Sequence, residues 1–235
     1  MNIKSFTQAL SVSGFDIVHA FPLDVLSESC RNTVSSFNSS ASCGVLVGNT
    51  RTAWHPFLLW LNQQPDWKTI TNPFNDFSEH IIQTQSKNTF TNAHILWTHE
   101  TESYIIPAQK IAHESGLAFR SAGQFNIHPR FGAWFALRAL VLLCEPPPQK
   151  TQVHNPSSDD IEKQAFKIFQ NLYKNLKNNT DIKTMRYHWE EWLALRDLYE
   201  IGKEYRYTEP QIQYHYTHNK QILNSQIELL NSRIQ

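Results

Sequence analysis

Residues 127–143 read IHPRFGAWFALRALVLL, and from residue 133 onward the only charge is Arg138. A run this apolar, rich in branched and aromatic side chains, predicts a strand over 133–143 that is buried on both faces. Period-two geometry puts Arg138 on the face of Trp134, Ala136, Leu140 and Leu142. A guanidinium keeps its proton and is costly to bury alone, so an anion is expected beside it. That anion is either a carboxylate of a neighbouring element, giving a structural ion pair, or a ligand.

A second arginine repeats the pattern on a helix. In MRYHWEEWLALRDLYEIG, residues 185–202, the helical step brings Met185, Trp189, Trp192, Arg196 and Tyr199 onto one face. Surface helices separate aromatics from charges, whereas this stripe mixes them. Two arginines among aromatic rings suit an anion site, because the planar fork binds carboxylate or phosphate and also stacks on rings. Two separate ion pairs fit the same spacing.

Outward from these stretches, helices and short strands alternate up to Leu143. The pattern predicts a helix and then a strand at 15–21, a Ser- and Asn-rich loop at 27–42, and a buried strand at 43–48 with Gly48-Asn49 as its turn. A helix follows from Trp54, with the Thr50 and Thr52 hydroxyls as caps. Gly48-Asn49-Thr50-Arg51 is either an ordinary strand-to-helix turn or a set of amides for a phosphate. A second helix runs from Pro73 to about Gln85, a strand occupies 93–98, and a helix begins near Pro107 and ends at Gly116. The organisation expected is α+β: a core over 1–145, a Pro-rich linker over 146–157, and a helical cap over 158–235 that ends in an exposed helix or arm.

Composition removes several classes of function. With 235 residues and 21 basic against 21 acidic side chains, the chain has no basic footprint for nucleic acid. Its apolar runs fall short of the ~18 residues of a membrane span, and Met1-Asn2-Ile3-Lys4 leads into polar sequence, so a cytoplasmic location is expected. The three cysteines, Cys30, Cys43 and Cys144, are widely spaced without CxxC and read as free thiols. None of the eleven histidines lies in HExxH, and His215-x-x-His218 alone is too little for a metal site.

The pattern HPRFG-x-WF-x-[IL]R, residues 128–138, resembles the CblC family of intracellular vitamin B12 processing proteins. So do YHWEEWLALRD (187–197), RYTEPQIQYHY (206–216), GFDIVHAFP (14–22), VGNTRTAWHPFLLWL (47–61) and IPAQKIAHESG (106–116), in the same order. The likeness covers roughly 12–143 and 186–222. It implies a flavin nitroreductase-like core with a C-terminal helical cap. It also implies cobalamin bound base-off, with no histidine as lower ligand.

Carried over by position, the cobalamin contacts are Ile106, Pro107, Ala108 and Gln109, then His113, then the turn Arg120, Ser121 and Ala122. Asn126 and Leu137 match two further contacts, and His128 belongs to the loop that shapes the corrin pocket. A better-known family member has cysteine in place of Asn126 and is rich in tyrosine at the turn, so the polarity of the lining differs. Arg138 and Arg196 match glutathione-binding arginines. A third would fall between Thr217 and Ile222, where the chain offers Lys220. Lysine keeps the charge and loses the fork.

The resemblance implies an oxidoreductase that removes the upper ligand of cobalamin, by glutathione-dependent dealkylation or by decyanation with electrons from reduced FMN or FAD. A flavin reductase and downstream cobalamin-user proteins are the implied partners, and the chain acts as monomer or homodimer. A non-catalytic cobalamin chaperone needs the same pocket and is the alternative. Epoxyqueuosine reductase needs clustered cysteines, which the chain lacks after Cys144. A flavin enzyme without cobalamin is the remaining possibility.

Overall fold

In a computed structural model, which describes residues 3–177 and 188–232, the apolar run becomes strand β6 (Ala136–Leu143). It lies inside a four-stranded antiparallel sheet, between β2 (Cys43–Asn49) and β3 (Ala93–Trp97), while β1 (Ile17–Pro22) pairs with the far side of β2. Every residue of β2 is buried, which is why 43–48 carries no polar alternation. A two-stranded hairpin, β4 (Phe119–Arg120) and β5 (Asn126–Ile127), stands apart from the sheet. The mixed helix-and-sheet organisation is α+β, as expected.

Both faces of the sheet are covered. Helices α1 (Ile3–Ser11), α3 (Trp54–Asn62) and α4 (Pro73–Thr89) lie on one face, where Phe6, Phe57 and Phe77 meet Val45 and Val141. On the other, α2 (Glu28–Ser35) and α5 (Ala108–Glu114) bring Cys30, Val34 and Ile111 against Leu46, Leu140 and Leu142. Residues 146–157 form neither helix nor strand. Beyond them α6 (Asp159–Lys177) and α7 (Trp189–Asp197) pack over the hairpin through Ala165, Leu172 and Leu195, which meet Ile127. The chain ends in α8 (Glu209–Thr217) and α9 (Lys220–Ser232).

Three departures from the sequence pattern have physical causes. Residues 28–35 are helical rather than loop, because Cys30 and Val34 sit one turn apart and are buried in the α2/α5 layer; tertiary burial outweighs the low helix propensity of Ser and Asn. The last helix is no exposed arm: Leu223 and Ile227, four positions apart, are buried among the residues of the first sheet face. Of the stripe expected on 185–199, Met185 lies outside the described residues.

The third departure places the site. Val47 pairs with Ala139 and Gly48 with Leu137, so Arg138 is the extra residue of a β-bulge. A bulge re-aims its side chain, and Arg138 turns away from the Leu140 and Leu142 face to stack on Phe74, 4.4 Å from the ring centroid. Gly48 permits this approach, since a Cβ there would lie 2.6 Å from the Ala136 carbonyl oxygen. The strand is also shorter than 133–143. Residues 133–135 leave the sheet, and two of their carbonyls accept from a cap side chain instead.

Candidate functional site

Two cavities adjoin beneath the cap. The larger, about 710 Å³, is walled by the start of α5 (Ala108, Gln109), the hairpin (Phe125, Asn126), the strand entry (Phe135, Leu137) and the cap (Phe169, Trp192, Arg196). The smaller, about 120 Å³, is lined by Asn49, Trp54, Phe74, Arg138, Tyr207 and Gln211. His215 and His218 line both.

Arg138 faces the smaller cavity. Its Nε donates to Asn49 Oδ1 at 2.7 Å, and among the described residues no carboxylate pairs with it. Burial pulls its pKa down, yet a guanidinium remains charged. Trp54, Tyr207 and Gln211 also line this cavity; the Trp54 indole N–H and Gln211 Oε1 are buried without a hydrogen-bond partner, and the buried Tyr207 hydroxyl lies against the Arg196 guanidinium. A cation without a carboxylate and two orphaned polar groups around one void could hold a small polar or anionic group.

Arg196 is held differently. Its Nε donates to the Ala133 carbonyl at 3.0 Å, and Nη2 donates both to that oxygen and to the Phe135 carbonyl, at 2.5 and 3.3 Å. The guanidinium stacks on Trp134 and Tyr207, 4.9 and 5.3 Å from their centroids. Only Nη1 is uncommitted to a carbonyl, and it meets His215 Nε2 at 3.5 Å. Arg206 forms a fork with Asp197, at 2.8 and 3.0 Å, beneath the same Trp134 ring.

His215 packs its ring edge against Tyr216 and Tyr207, with centroids 4.9 and 5.8 Å away. Burial first, then the Arg196 and Arg138 charges, hold its pKa well below the usual imidazole value, so the ring is neutral near pH 7. The cap is fastened by Glu162, which accepts from the Ala122 backbone N–H at 2.6 Å, from the Tyr199 hydroxyl at 3.2 Å and from the Ser157 hydroxyl. Burial pushes the Tyr199 phenol up to about 12.

Of the residues marked out from the sequence, Ala108, Gln109, Asn126 and Leu137 share the wall of the larger cavity. Asn126 Nδ2 donates to the Gln109 carbonyl at 3.1 Å, and its Oδ1 has no partner. The others stand behind that wall. Ile106 is buried against the α5 layer, and Pro107 caps α5. His113 Nδ1 accepts from the Arg120 backbone N–H at 3.3 Å, and the Arg120 side chain donates to Gln124. The Ser121 backbone N–H donates to the Phe125 carbonyl, and Ala122 is tied to Glu162.

His128 serves its own loop: Nδ1 accepts from the backbone N–H groups of Arg130 and Phe131 at 3.0 and 3.2 Å, and burial lowers its pKa to about 4. Gly132, in the same loop at φ +56, crosses the chain so closely that a Cβ would lie 1.7 Å from the Ile201 carbonyl oxygen. The HPRFG glycine is thus a steric requirement of cap docking.

Lys220 lines neither cavity; it opens α9, and its Nζ donates to the Lys68 carbonyl at 2.7 Å. Trp192 and Arg196 reach the larger cavity, whereas Trp189 packs on Tyr216. Cys30, Cys43 and Cys144 are free, and none lines either of these two cavities. Sequence reasoning missed Asn49, Trp54, Gln211, Phe125, Phe169 and the role of His215. The only sequence signal for the last was its three-residue spacing from His218.

No protein-family model matches the chain, and no curated protein does. Among solved structures it is similar to the B12-trafficking protein CblC of C. elegans, a homologue of human MMACHC, at 16% identity, 94% coverage of each chain and a TM-score of 0.69. A lesser similarity joins it to epoxyqueuosine reductase from Streptococcus thermophilus, at 14% identity over 65% of this chain and 49% of that one, with a TM-score of 0.43. The chain therefore has the fold of CblC over nearly its whole length. No helix among the described residues is long and apolar enough to cross a membrane.

Proposed function

We propose that the chain binds cobalamin in the larger cavity and processes it. The observation that carries this is the convergence of Ala108, Gln109, Asn126 and Leu137 on one wall, in a fold shared with a B12-trafficking protein. At about 710 Å³ the cavity lies in the upper part of the range of ~300–1,000 Å³ for small-molecule sites. Its character suits a corrin. Phe125, Phe135, Phe169 and Trp192 offer apolar faces, and Thr98, Gln109 and Asn126 offer a few fixed polar groups.

Removal of the upper ligand is the finer part of the proposal. Arg138 would hold a carboxylate of a thiol co-substrate such as glutathione, keeping the sulfur at the border of the two cavities. Reduced flavin, delivered by a partner reductase, would supply electrons where the ligand is cyanide. We place this work in the cytoplasm, with hand-over to cobalamin-using proteins. One observation favours a trafficking protein without chemistry. Arg196 already gives Nε and Nη2 to backbone carbonyls and has no free fork for glutathione.

Methylcobalamin titrated with the protein should shift its long-wavelength absorption to shorter wavelength as the lower nitrogen leaves cobalt. An unchanged spectrum at protein excess overturns cobalamin binding. Conversion of the bound methylcobalamin on adding glutathione separates the processing enzyme from the carrier.

A further inference from the structure

His215 lines both cavities, and among the described residues its surroundings hold no counter-charge. Arg196 approaches from α7, Arg138 from β6, Tyr207 from the loop before α8, Tyr216 from α8 itself and His218 from its C-terminal cap. Among the described residues no carboxylate is part of this shell. An imidazole in such a place is a proton acceptor with no protein anion to share the charge it would gain. The contact from Arg196 Nη1, at 3.5 Å, is long enough for a ligand to displace.

We propose that His215 takes the thiol proton of a co-substrate whose carboxylate occupies the Arg138 cavity, an inference that rests on the thiol-dependent reading above. The S–H bond breaks and an N–H bond forms at Nε2. This leaves an imidazolium beside a thiolate, with the Arg196 Nη1 edge next to both. Burial and the two guanidiniums keep the imidazole neutral in the empty site; the thiolate's charge offsets the guanidiniums, so thiolate and imidazolium stabilise each other as in a Cys–His pair. Here the ligand supplies the sulfur. The freed electron pair then forms the new C–S bond to the alkyl carbon, and the carbon–cobalt bond breaks with its pair left on cobalt.

The test is the ultraviolet thiolate absorbance of reduced glutathione bound to the whole protein, followed from pH 6 to 9 without cobalamin. At pH 6.5 only about one free thiol in a hundred is ionised, given a usual pKa of about 8.5. Bound to the parent protein, the thiolate fraction should be at least tenfold higher. His215→Gln and His215→Phe should return it toward the free value. They should also slow glutathione-dependent dealkylation about tenfold at pH 6.5 and no more than about twofold at pH 9. The proposal is overturned if the parent binds no glutathione, if its bound thiol stays protonated at pH 6.5, or if both variants retain the band. A bound thiol that stays protonated on the parent at pH 6.5 overturns the proposal even where a variant misfolds. Cobalamin binding is read separately: a methylcobalamin shift without a thiolate band removes only the role of His215.

Discussion

Arg138 and Arg196 sit in similar aromatic surroundings, and they differ in what their nitrogens meet. Arg196 lies over Trp134 and Tyr207, and Arg138 over Phe74. Arg196 closes two backbone carbonyls that left the sheet at residues 133–135. Arg138 has one amide oxygen, from Asn49, and a void bordered by orphaned polar groups. Removing the first should unmake structure, and removing the second should unmake a site. A buried arginine is a strut where the protein supplies the acceptors, and a receptor where it withholds them.

The largest expected effect is on the strut. Arg196→Ala leaves the Ala133 and Phe135 carbonyls without their charged donor and should cost about 3–4 kcal/mol in urea unfolding. Arg138→Met should stay within about 1 kcal/mol of the parent, since it removes a cation with no carboxylate partner. The same variant should weaken glutathione binding about ten- to a hundredfold at pH 7, the equivalent of roughly 1.5–3 kcal/mol for a charge-assisted contact. Equal destabilisation by both substitutions would break the contrast and make both arginines structural.

A smaller effect follows from the lowered histidines. His215 and His128 bind fewer protons folded than unfolded, because burial depresses both pKa values below 6.5. Stability should therefore be flat above pH 6.5 and fall as pH drops from there toward about 4, the value for His128. Each histidine contributes at most ~1.4 kcal/mol per pH unit across this window. Urea midpoints at several pH values test this, and stability that rises on acidification would contradict it. His215→Phe should flatten the slope, and a bound anion should flatten it too by raising the His215 pKa.

The smallest effect expected is that of Lys220→Arg. Because Lys220 Nζ donates to the Lys68 carbonyl, restoring a guanidinium there should change glutathione affinity no more than about twofold, roughly 0.5 kcal/mol. A larger gain in calorimetric titration would mean that this side chain leaves Lys68 and joins Arg138 when the thiol binds.

Much of the frame was legible along the chain. The buried inner strands, the helix from Trp54 and the helix opened by Pro107 follow from periodicity and punctuation. Four of the eleven positions marked for cobalamin reach the larger cavity, and these carry the short side chains Ala108 and Asn126 as well as Gln109 and Leu137. The helix at 28–35 and the docking of Leu223 and Ile227 escaped notice, because a few buried residues among polar ones signal a contact only once the partner surface exists.

The sequence by itself determined that two arginines would be set among apolar and aromatic neighbours and would need anions or acceptors, since composition and the charge of guanidinium suffice for that. It could not determine which arginine is spent on backbone carbonyls and which faces a cavity. Arg138 reaches its cavity because it is the unpaired residue of a bulge opposite Gly48, and the bulge exists only in the pairing of two strands some ninety residues apart. Arg196 is committed because residues 133–135 leave the sheet and present their carbonyls to a helix that is distant in the chain. Register and the fate of backbone carbonyls are properties of paired segments, so they become definite only when the chain has folded.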